Sequence, residues 1–244
     1  MKRLMLILCF VLPFTVLTAQ TVTKILLVGD KGPTKDIKEA KSFIAVKRYP
    51  NGSAELLDYK MRGPLEKATT YADATLRVLD GPYYEYDTNG FIKLSGAYAN
   101  NQKDNEWTYF NDTGKVILKE KYRAGELIER INPDTIKKET NENFQEGDKE
   151  AAFIGKANSW KNYLIKSLNP DIALQSVKGG VVRVFFAIDF TGRPTDIHLW
   201  KSVEYMLDEE SLKVIYNMPD WSPAIRNGER VKAYRTQPFG FVKE

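Results

Sequence analysis

The chain has 244 residues, 43% apolar and 28% charged, with a formal net charge of +4. That length has room for one or two domains, and the composition is that of an ordinary globular protein rather than a disordered or fibrous one. Cations and anions are interspersed almost everywhere, so the small positive excess gives no footprint for nucleic acid.

Lys2-Arg3 precede an apolar run from Leu4 to Leu17, and Thr18-Ala19-Gln20 offers a small residue at a cleavage point. This is the pattern of a secretory signal peptide over residues 1–19, and the run is shorter than the ~20 residues a spanning helix needs. The alternative is an uncleaved anchor, the one form in which the chain would contact a membrane. Cys9, the single cysteine, sits inside the apolar run. A processed chain therefore has neither disulfide nor thiol chemistry, which suits a bacterial periplasm or cell envelope.

Residues 20–130 read as β-rich. Lys24–Val28 and Phe43–Tyr49 are strand candidates, the second closed by Pro50-Asn51-Gly52. Gly29–Lys35 only superficially resembles a phosphate loop, since it lacks the Gly-Lys-Ser/Thr ending and Pro33 removes a backbone donor. From Asp80 the chain repeats: Tyr83, Tyr86, Gly90 and Tyr98 return at Trp107, Phe110, Gly114 and Tyr122, each displaced by 24 residues, and Asn101 matches Gly125. Aromatics before a turn glycine and a tyrosine eight residues after it describe a β-hairpin, with Asn89-Gly90 and Thr113-Gly114 as the turns. The unit resembles MORN-like repeats of YwqK-type antitoxin proteins, is clearest over residues 80–127, and has a decayed third copy at Arg48–Gly52. So short an array is expected to be marginal by itself. Aromatics such as Tyr84 and Tyr109 either form a binding surface or finish the hairpin packing, and strands favour packing.

Residues 131–150 read as a linker: Asn132-Pro133-Asp134 breaks the strand pattern, and Lys137–Asn143 is polar without apolar periodicity. Beyond it, Ser159 heads a helix carrying Trp160, Leu164 and Leu168 at i, i+4 and i+8, and Asn169-Pro170 ends it. After Gly179-Gly180, Val181–Asp189 is a β-branched and aromatic strand that turns at Thr191–Pro194. Thr195–Lys201 returns, with Ile197 and Leu199 on one face and Asp196, His198 and Trp200 on the other. Asp208 is the expected N-cap of a second helix, in which Leu212, Ile215 and Met218 face inward and which Pro219 stops. Asn227-Gly228 makes a turn into a last extended segment, Arg230 to Phe241.

The ordered set Gly180–Val184, Asp189 with Gly192, Lys201-Ser202-Val203, Leu207–Leu212, Met218–Pro223, Asn227-Gly228 and Pro238–Phe241 resembles the C-terminal domain of TonB energy transducers. The resemblance extends back to about Ala151, giving a domain over 151–244. It implies an α+β fold in which two helices pack on a three-stranded antiparallel sheet. The linker is much shorter and poorer in proline than the stiff spacer of those transducers.

The residues offer little chemistry. His198, the only histidine, has Asp196 on its strand face but no nucleophile motif, so it reads as structural. Asp208-Glu209-Glu210 diverge around a helix rather than converge on a metal, and no cofactor is implied. A small sheet, however, must leave edges whose N–H and C=O groups accept a further strand. The candidate edge is Arg230, Val231, Lys232, Ala233, Tyr234, Arg235, Thr236 and Gln237: its basic and polar side chains discourage random pairing, and Pro238 is expected to end the ladder. The resemblance implies that this strand pairs with an extended segment of an envelope partner such as an outer-membrane transporter. The alternatives are an edge covered by the N-terminal part or by a second copy in a homodimer, and an interaction scaffold whose hairpin repeats carry the binding.

Overall fold

In a computed structural model, residues 21–132 and 147–242 are described; the expected signal peptide and most of the expected linker lie outside these residues. Ten strands come first: β1 (Thr21–Gly29), β2 (Gly32–Thr34), β3 (Ser42–Arg48), β4 (Ala54–Lys60), β5 (Leu65–Tyr71), β6 (Leu79–Tyr86), β7 (Ile92–Ala99), β8 (Gln102–Phe110), β9 (Val116–Arg123) and β10 (Glu126–Ile131). They form one antiparallel sheet in the order β10-β9-β8-β7-β6-β5-β4-β3-β1-β2. The loop-like Gly29–Lys35 is the turn and second strand of the β1–β2 hairpin. The expected short array of hairpins thus continues a sheet begun upstream, in which β6 to β9 each pair with a neighbour on both sides.

Local backbone geometry carries the 24-residue repeat. Asn100 and Asn101 (φ 49° and 67°) and Ala124 and Gly125 (φ 49° and 84°) are left-handed pairs at corresponding β7–β8 and β9–β10 corners, the geometry of a tight hairpin turn. At the opposite corners Asp87 and Asn111 each accept two backbone N–H groups on their Oδ1 (2.8–3.1 Å), and Gly90 and Gly114 take positive φ. The register slips between Glu85 and Tyr86 and again between Tyr109 and Phe110. Strand alternation puts residues three apart on opposite faces: Tyr83, Tyr98, Trp107 and Tyr122 pack together on one side, while Tyr86 and Phe110 join the main core on the other.

The remaining elements are β11 (Ala152–Phe153), α1 (Ser159–Ser167), α2 (Ile172–Gln175), β12 (Gly180–Ile188), β13 (Pro194–Lys201), α3 (Tyr205–Tyr216), β14 (Trp221–Ser222), β15 (Ala224–Arg226), β16 (Glu229–Val231) and β17 (Ala233–Phe241). The fold is α+β, with three helices rather than the expected two, because Pro170 and Asp171 start the short α2 instead of closing the segment. A three-stranded antiparallel sheet, β13-β12-β17, is accompanied by the ribbons β11–β14 and β15–β16. The expected linker ends early: Lys149 and Ile225 exchange two backbone hydrogen bonds (3.0 and 2.8 Å), and Glu150 bonds Arg226 and Arg235.

Helix α3 lies between the two sheets. Leu207, Leu212, Val214 and Ile215 are all buried, as is Met218 beyond it; apolar residues on several sides are what a helix covered on both faces requires. One continuous core joins Leu57, Tyr59, Leu65, Tyr86, Ile92 and Phe110 of the large sheet to Val182, Val184, Phe186, Leu199 and α3.

Candidate functional site

The candidate edge divides at Lys232. Arg230 and Val231 belong to β16 and pair with Ile225 and Ala224, because Asn227 and Gly228 (φ 52° and 81°) fold them into a tight hairpin. Ala233, Tyr234, Arg235, Thr236 and Gln237 lie in β17, paired in unbroken register with Ile188 to Val184 of β12. Pro238 does not end the ladder: the strand runs through it to Phe241, which pairs with Gly180. An outer strand tolerates proline when the missing donor falls on its free side. The alternation that puts the Pro238 nitrogen outward directs the Tyr234 and Thr236 N–H groups to that side too.

Among the described residues, β17 has β12 as its sole strand partner and makes no other backbone hydrogen bond. Two of its carbonyls are held by neighbouring side chains, Tyr234 O by Arg235 Nη1 (3.0 Å) and Pro238 O by Gln237 Nε2 (2.7 Å). Arg235 also reaches Glu150 (2.8 Å), Lys232 bonds Asp196 (2.5 Å), and Gln237 accepts from Trp160 Nε1 (3.0 Å). These ties fix the strand from its flanks. Tyr234, 59% exposed, stacks on Phe185, whose ring stands 4.8 Å from that of His198.

The opposite edge is occupied. Lys201 of β13 bridges to Phe91, and Ser202 N–H donates to Gly90 O (2.8 Å). Tyr86 donates to Leu199 O (3.0 Å), Phe110 packs edge-on against Trp200, and Tyr84 stacks on His198 at 4.6 Å. His198 is thus a packed ring: burial lowers its pKa to about 4, and Nδ1 lies 2.9 Å from Asp196 O. Tyr109, the other aromatic weighed for binding, donates to Glu120 on the outer face (2.9 Å).

Asp208 is not the N-cap. The helix starts at Tyr205 after Glu204, and Asp208 sits fully buried inside the first turn. Its carboxylate accepts from Val203 N–H (2.9 Å), the Tyr59 hydroxyl (3.0 Å) and the Ser202 hydroxyl, and Ser202 in turn accepts Leu65 N–H (2.8 Å). Burial pushes its pKa up to about 7. Beside it Glu209 pairs with the buried Lys47 (2.5 Å), while Glu210 accepts Asn169 N–H (2.7 Å) and pairs with Lys213 (2.8 Å). The three acids point three ways, and among the described residues no group of three or more His, Cys, Asp or Glu is placed to hold a metal. This seam escaped sequence reasoning because its partners are separated by well over a hundred residues. An acid followed by two more at a helix start reads as a cap whether or not a distant tyrosine meets it.

No described helix is long and apolar enough to cross a membrane. No curated protein and no solved structure matches the chain. Residues 169–242, from just before α2 through β17, match the family model described as Gram-negative bacterial TonB protein C-terminal, so this stretch is similar to that domain.

Proposed function

We propose that this is a non-enzymatic cell-envelope protein whose C-terminal domain binds an extended segment of an envelope partner, such as an outer-membrane transporter, by adding it to β17. The observation that carries the reading is the asymmetry of the small sheet: one edge meets the hairpin sheet at Lys201 and Ser202, and the other, nine residues long, has no strand partner among the described residues. Main-chain pairing along such an edge gives affinity, and alternate side chains give selectivity. The family match supports a role connected to transport across the envelope. The hairpin sheet then stabilises and orients the domain. Its inner face is spent on α3 and β13, which counts against the reading in which the repeats carry the binding.

The test is a photo-crosslinking residue at the exposed Tyr234 in the full chain, expressed in a Gram-negative envelope, with Thr236 either kept or replaced by proline. The expected product joins it to an extended segment of an outer-membrane transporter, and Thr236→Pro abolishes it. Crosslinking to a second copy of the chain alone, or a partner retained by a folded Thr236→Pro variant, would overturn the proposal.

A further inference from the structure

The seam between the two sheets is not closed along its whole length. Where β3 to β6 part from β13 and the C-terminal end of α3, the structure has a cleft of about 610 Å³, within the range of small-molecule sites. Tyr49, Tyr84 and Tyr216 give it aromatic walls, Ile197 an apolar patch, and Glu55 and Asp80 carboxylates. No lysine or arginine lines it.

The electrostatics decide what it would take. Glu55 accepts the Tyr49 hydroxyl at 2.6 Å, and burial pushes its carboxyl above the ordinary range despite the pull of Lys47. Lys47 borders the inner end of the same region but is itself 2.5 Å from Glu209. Glu55 and Asp80 are thus the acids of the cleft with no basic partner in its lining, and a cation arriving beside Glu55 would favour the charged form that burial disfavours. A phosphate or carboxylate entering the cleft would meet like charge and no basic partner, which disfavours anions, zwitterionic amino acids and phospholipid headgroups. Tyrosine rings beside a desolvated carboxylate instead suit a cation with an apolar shell, where ring quadrupole and charge attract it together.

We propose that this cleft binds a small organic ammonium ion, its charge held by Glu55 and Asp80 and its alkyl groups against the tyrosine rings. The site is distinct from the β17 edge, and its occupation stands or falls independently of strand addition.

The experiment is a calorimetric titration of the purified full chain with choline, with its neutral isostere 3,3-dimethylbutan-1-ol, and with phosphocholine. Choline is expected to bind at least about tenfold more tightly than either, since a difference of ~1.4 kcal/mol is tenfold. Glu55→Gln keeps an acceptor for Tyr49, and Asp80→Asn lies at the half-exposed rim. Each is expected to weaken choline about fivefold or more without moving the thermal midpoint; should Glu55→Gln fail to fold, Asp80→Asn carries the test. Equal binding of choline and the alcohol, equal binding of choline and phosphocholine, no saturable binding of choline or the bulkier benzyltrimethylammonium, or unchanged affinity in a folded Asp80→Asn variant would each overturn the proposal.

Discussion

Asp208, fully buried, and His198, half-buried between aromatic rings, are ionisable groups whose effects on stability have opposite signs. The folded-state pKa of Asp208, about 7, lies above the usual 3.8 because burial disfavours its charge. Its contribution is fully present below pH 3.8 and is lost as pH rises through 7, an upper bound of about 4 kcal/mol at 1.36 kcal/mol per unit. Asp208→Asn should therefore be less destabilised relative to wild type at pH 8 than at pH 5, read as the difference in urea midpoints. A difference that is constant with pH would show that the carboxyl is not buried as described. For His198 the folded pKa of about 4 lies below the usual 6.5, so its contribution is present above pH 6.5 and lost as pH falls through 4. His198→Phe, which keeps a ring between Tyr84 and Phe185, should flatten the wild-type loss of stability between pH 6.5 and 4.

At the level of elements, tight approaches between turns and sheets set which positions tolerate change. A Cβ added at Gly90 would fall 2.1 Å from Ser202 O, and one at Gly96 would fall 2.3 Å from the Trp107 ring. Neither neighbour has room to move, since Ser202 is tied to Asp208 and Leu65 and Trp107 is 1% exposed. Alanine at either site should cost about 1–3 kcal/mol in denaturant unfolding. At Gly228, where nothing lies within 4 Å, alanine should cost about 1–2 kcal/mol, from its positive φ alone. In β17 the alternation of inward and outward N–H groups makes a paired prediction. Thr236→Pro should leave the melting temperature nearly unchanged, whereas Arg235→Pro, which removes a donor to β12, should destabilise by about 3 kcal/mol or more. Equal melting of the two variants would contradict the register.

The whole molecule is held by one core across the seam, so the two sheets should unfold together. Full-length protein is expected to show a single calorimetric transition whose calorimetric and van't Hoff enthalpies agree. A fragment starting at Gly147 would uncover α3 and the Asp208 carboxylate, lose the hydroxyl of Tyr59, and expose the apolar faces that Leu57, Leu65 and Tyr86 now cover. It should bind hydrophobic dyes and melt without a sharp transition. A natively folded fragment would show instead that the seam is dispensable. Deleting Asp80 to Leu127 is for the same reason a folding experiment rather than a binding experiment.

The local code was legible in the chain because its causes are local. Hairpins at a 24-residue spacing follow from aromatics and turn glycines, β12 and β13 from β-branched runs around Asp189 and Gly192, and the inward face of α3 and the turn after it from Leu212, Ile215 and Met218. The break at Lys232 was legible in part, since Asn227-Gly228 marked the turn but gave no sign that Arg230 and Val231 would pair back on Ala224 and Ile225. The bulges at Tyr86 and Phe110 were hidden because a one-residue slip in pairing leaves no mark in the identity of the residues around it. Only the tertiary structure made Asp208 a buried acid, set the end of β13 against the hairpin sheet and left β17 without a second strand partner among the described residues. Those outcomes depend on which surfaces meet across more than a hundred residues of chain, and the free energy of that meeting comes from apolar area and paired polar groups that no short stretch contains.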